Sequence, residues 1–75
     1  MLTYNEAKQI ATRLNKNVNA CNEYNKAYHF FVETDNDIDG DAGVVVIKEN
    51  GRALSFVPFL LNYHPEKNPK RIADF

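Results

Sequence analysis

The chain has 75 residues, a formal net charge of -1 and 44% hydrophobic residues, which is the scale of one small domain whose core only just offsets chain entropy. The near-zero charge excludes the global positive field of a nucleic-acid-binding protein, and no apolar run has the length of a membrane span or signal peptide. A single cysteine, Cys21, excludes an intramolecular disulfide and suits a reducing compartment, so a cytoplasmic, soluble protein is expected.

The chain opens with helix signals. Thr3 and Glu6 form a T-x-x-E capping box, after which Ala7, Ile10, Ala11 and Leu14 fall at helical spacing and mark a core face. Asn15 and Asn17 bracket the expected stop, where asparagine tolerates the left-handed conformation of a C-cap. From Val18 to Glu33 the pattern turns to strands that fold back at Asn25 and Lys26, placing Cys21 opposite Phe30 and Asn19 opposite Val32. Tyr28, Phe30 and Val32 then share one side, and His29 and Phe31 the other.

The stretch "ETDNDIDGD", Glu33 to Asp41, starts like a calcium loop, with Asp35, Asp37 and Asp39 alternating before Gly40. Counted from Asp35, however, the twelfth position is Val46, where an EF-hand needs a bidentate glutamate, and the flanks read as strands where an EF-hand has helices. The stretch is therefore read as a turn-rich connection able to bind a divalent ion only weakly.

In "VVVIKENGRALSF", Asn50-Gly51 suits a type I′ turn, because both residues accept positive φ; Val44–Glu49 is then expected to pair with Arg52–Phe56. "SFVPFLLNYH" reads as a short helix with Pro58 near its start and Phe56, Phe59, Leu60 and Tyr63 along one face. Residues 65–75, with two prolines and no periodicity, are expected to be an extended, exposed tail offering Ile72 and Phe75 for packing. The expected fold is α+β: an N-terminal helix, a four-stranded antiparallel sheet of two hairpins, a short C-terminal helix and the tail, with the helices against one sheet face.

This order resembles a known group. "LTYNEA" opening a helix, "AYHFF" in a strand, "GDAGVVVIKENGRALSF" as a hairpin and "FLLNYH" beyond it are similar to the immunity protein 35 and YrhB-like group of small bacterial α+β domains, many encoded beside toxins. The resemblance spans most of the chain but not its tail, and it implies an immunity-type role. The acidic string stands where that group carries a more neutral loop.

No catalytic constellation is legible: His29 and His64 are the only histidines, neither is placed beside Cys21 with an orienting acid, and one cysteine with one histidine makes no zinc set. No cofactor is expected. The expectation is a non-enzymatic binding module, an immunity-type protein or a bacterial or phage inhibitor. It would meet the basic surface of a protein partner through Asp35, Asp37, Asp39 and Asp41, anchored by exposed Tyr24, Tyr28 and Tyr63. The alternative is a nucleotide-like ligand held between subunits by aromatic rings with Arg52, Lys48 or the tail cations. Apolar strand surface left open by two short helices predicts a homodimer.

Overall fold

The computed structural model describes residues 1–33 and 38–72, with backbone alone for 38–42. The elements in chain order are α1 (Tyr4–Leu14), β1 (Ala20–Glu23), β2 (Ala27–Glu33), β3 (Ile38–Ile47), β4 (Ala53–Leu54), α2 (Phe56–Tyr63) and β5 (Lys70–Ile72). They form an α+β fold with one antiparallel five-stranded sheet in the order β4-β3-β2-β1-β5.

The capping box forms at the start of α1: the Glu6 backbone N–H donates to Thr3 Oγ1 at 3.3 Å, and the Thr3 N–H donates to Glu6 Oε1 at 3.0 Å. Two donors that the first turn leaves without helical partners are thereby satisfied. Ala7 and Ala11 are fully buried, and their small side chains let the helix lie close to the sheet; Leu14, expected in the core, is 61% exposed. The helix ends at Leu14 as expected, but its cap Asn15 is extended at φ -148°, not left-handed. The Asn15 side chain closes the turn by accepting from the Asn17 N–H at 3.0 Å.

The first hairpin follows its expected register, with Cys21 opposite Phe30 and the Tyr24 N–H donating to the Ala27 carbonyl across the Asn25-Lys26 loop. Beyond β1, the Asn19 side-chain amide continues the ladder by donating to the Glu33 carbonyl at 2.8 Å and accepting from its N–H at 2.7 Å. The second hairpin differs from expectation. Val45 pairs with Leu54 and Val46 with Ala53, so residues 48–51 form the loop and the register moves two residues from that of an Asn50-Gly51 type I′ turn. Gly51 alone of the pair has positive φ, 72°, and its N–H donates to the Ile47 carbonyl at 2.8 Å. The Lys48 N–H bonds the Lys26 carbonyl, continuing the ladder to the first hairpin, while the Ile47 N–H bonds the Arg52 carbonyl.

Two further expectations are corrected. The tail supplies a fifth strand: Ile72 pairs with Cys21, Arg71 with Asn22 and Lys70 with Glu23. Three residues are too few to show a period, and this pairing rests on contacts distant in sequence. The helices also lie on opposite faces of the sheet. One core joins Ala7, Ala11, Val18, Cys21, Tyr28, Phe30 and Val46 under α1, and the other joins Tyr24, Ala27, Val45, Ile47 and Phe59 under α2. Successive residues of β2 and β3 are buried on alternating sides, and strands apolar on both faces need cover on both. Phe30, Phe31, Val45, Val46 and Ile47, the surface expected to drive a dimer, are all buried within the protomer.

Candidate functional site

Of the sequence-derived site residues, the described side chains are those of Tyr24, Tyr28 and Tyr63. Asp35 and Asp37 lie outside the described residues, while Asp39 and Asp41 belong to the backbone of β3. Glu33 pairs with Ile38 and Val32 with Asp39, which puts Glu33 and the backbone at Asp39 at the end of β2 farthest from the Asn25-Lys26 turn. Tyr24 and Tyr63 flank Phe59 near that turn, with ring centroids 5.2 and 5.5 Å from it. The two groups are separated by the length of β2, about 20 Å at ~3.3 Å per residue.

The tyrosines expected to be exposed are mostly not. Tyr24 is 6% and Tyr28 8% exposed, and Tyr63 is half-buried. Tyr28 lies on the opposite sheet face from Tyr24, edge-on to Tyr4 at 5.6 Å and beneath Lys48 Nζ at 4.8 Å. A ring filling a gap beside the core and a ring awaiting a partner have the same spacing in sequence; only packing separates them.

The surface feature that stands out is α2. Phe56, Phe59 and Tyr63 turn toward the sheet, where Phe59 is fully buried. Val57, Leu60 and Leu61 are 57%, 39% and 69% exposed, and their i, i+3, i+4 spacing sets them side by side on the outer face. Residues 53–65 contain no Asp, Glu, Lys or Arg. A helix apolar all round is normally enclosed on all sides, yet this one meets a sheet on one side only. Val57 and Leu61 were absent from the sequence-derived site and Leu60 was assigned to the inner face; the legible signal was a short helix with no polar side.

The helix starts without a side-chain cap bond from Ser55 and ends on a left-handed residue, the C-cap His64 at φ 46°. Beyond it, the Asn25 N–H donates to Glu66 Oε2 at 2.7 Å, fastening the chain after α2 to the first hairpin turn. A cleft of about 230 Å³ opens there between Tyr24, Tyr63, His64 and Glu66. Burial, with Glu66 nearby, raises the Tyr24 pKa.

The reactive side chains are quenched by their surroundings. Cys21 is buried, and desolvation followed by the charge of Glu23 pushes its thiol up to about 12, far from a thiolate nucleophile at neutral pH. His29 is 5% exposed, and burial lowers its pKa to about 4. Of the cations considered for a phosphate, Lys48 is paired with Glu23 at 2.6 Å, and Arg71 makes two bonds to Glu33 at 3.0 and 2.8 Å. Among the described residues, no helix is long and apolar enough to cross a membrane.

The fold and this face define a small α+β module: a five-stranded antiparallel sheet between two helices, one of them apolar on its outer side. No protein-family model, curated protein or solved structure matches the chain.

Proposed function

We propose that this chain is a non-enzymatic binding module that docks a protein partner on the outer face of α2, acting as an immunity-type or inhibitor protein in the cytoplasm. The observation that carries the reading is the exposed triplet Val57, Leu60 and Leu61 on an uncharged helix. Covering the exposed part of each side chain is worth about 1 to 2 kcal/mol, enough for three neighbours to anchor an interface. The acidic stretch from Glu33 to Asp41, with no lysine or arginine before Lys48, favours a partner with a basic surface and speeds encounter with it at low salt. The anchors are thus aliphatic residues of α2; the buried Tyr24 supports the core beneath them, and Tyr28 belongs to the core under α1.

The test is a photo-crosslinking residue at position 61 of the full chain, compared with one at the exposed Lys16 in the turn after α1. A discrete heteromeric adduct from position 61 alone, reduced about 100-fold in affinity by Val57→Lys with Leu61→Lys, is the expected result. Equal labelling from both positions would count against a docking face on α2. Stabilisation by added nucleotide, with no protein adduct, would instead favour a small-molecule binder.

A further inference from the structure

We infer that His29 is a pH-sensitive clamp: its neutral imidazole seats the first turn of α2 on the sheet, and protonation releases that turn. The ring lies parallel to Phe56, the first residue of α2, with centroids 4.1 Å apart and planes 8° apart. It is 5% exposed, and its Nε2 has no hydrogen-bond partner among the described residues. A buried nitrogen of this kind is tolerable while neutral; a proton placed there would leave a charged donor without water or an acceptor.

The faces of Phe56 and Phe31 attract a cation and offset part of its desolvation, but Nε2 has no acceptor within reach among the described residues. Asn22 of β1 and Val45 of β3 stand opposite His29 in the sheet, Phe31 of β2 lies 5.2 Å away, and Phe56 covers it from α2. Among the described residues, the charged pair placed next to this cluster is Arg71 of β5, 5.6 Å from the Phe31 ring, with Glu33, which it holds through two bonds. Burial is the cause that lowers the His29 pKa to about 4, in agreement with these surroundings.

The fold decides which side gives way when the proton arrives. β2 is the central strand, paired on both sides by β1 and β3. The N-terminal turn of α2 lacks a side-chain cap and follows a β4 that pairs at only two positions. Lifting Phe56 gives the imidazolium access to water and leaves the sheet intact, whereas freeing His29 from the other direction requires opening the sheet centre. Because Val57 rides on the same turn, acid also disrupts the proposed docking face; that consequence rests on the binding reading, while the release itself does not and is measured without a partner.

Hydrogen exchange of the full chain, corrected for the intrinsic pH dependence of exchange, tests the clamp. Between pH 7.5 and 4.5, protection within residues 56–63 is expected to fall at least tenfold while that of 27–33 holds, and His29→Phe, which keeps an aromatic stack on Phe56, is expected to abolish the change. Simultaneous loss of protection in both segments, or an equal acid response in His29→Phe, would overturn the inference. Should that variant not fold, an NMR titration of the wild-type chain decides: α2 amide changes must share the midpoint of the His29 imidazole, and distinct midpoints would overturn it.

Discussion

The two sides of the sheet are built to different standards. Under α1 the helix is capped, its buried residues are alanines, and its other positions are largely polar; beside that core Lys48 meets both Glu23 and the face of Tyr28. Under α2 the helix lacks a side-chain N-cap bond, its outer face carries Val57, Leu60 and Leu61, and the imidazole beneath it has an unpartnered nitrogen. The first side has the consistency expected of a region that serves folding, whereas local rules broken together mark places where another demand competes with stability. The α2 side therefore carries both the proposed docking face and the proposed clamp.

The comparison fails most visibly if α2 is dispensable to the fold. Phe59 is its fully buried side chain and joins Tyr24, Val45 and Ile47, so Phe59→Ala is expected to cost about 3 to 5 kcal/mol, a large share of a small domain's stability. Urea denaturation measures it, and a loss below about 1 kcal/mol would mean that α2 decorates a self-sufficient sheet. Acid should expose the same side next. The folded pKa of His29, about 4, lies below its ordinary value of 6.5, so between these values the unfolded chain binds more protons. Stability is full above pH 6.5 and falls toward pH 4, by on the order of 3 kcal/mol. His29→Phe should flatten this window in denaturation curves collected across it.

Smaller effects sharpen the contrast between the helices. Thr3→Ala removes a working cap and should cost about 1 kcal/mol, whereas Ser55→Ala removes none and should cost no more than a few tenths; equal shifts in melting temperature would erase the distinction. The smallest effect on stability is expected from Val57→Lys with Leu61→Lys. Both sites are exposed, so unfolding free energy should stay within about 0.5 kcal/mol per site. The same pair also tests the homodimer, since the strand surface once expected to form it is buried. If copies associate, α2 is the available apolar face, and sedimentation of the wild-type chain above 8.6 kDa should revert to the monomer in the double variant.

Much of the architecture was legible because it is written in contiguous residues. The capping box of Thr3 and Glu6, the return at Asn25-Lys26, the alternation through β2 and the short helix after Ser55 each depend on neighbours within a few positions, where backbone geometry and side-chain period act directly. Other features depend on which distant segments compete for the same space. The register of β3 with β4 makes residues 48–51 the loop in place of a two-residue turn at Asn50-Gly51; Lys70–Ile72 becomes a strand because β1 offers it an edge. The candidate site was least legible. An i, i+3, i+4 triplet is apolar whether it faces a core or a partner, and a tyrosine has the same place in the sequence buried or exposed. The sequence by itself determined the α+β class, the helices and the first hairpin, through local propensity and pattern. Tertiary structure decided the fifth strand, the opposite placement of the helices, the burial of Tyr24 and Tyr28 and the exposure of Val57, Leu60 and Leu61, because each follows from which surfaces the packed chain has already covered.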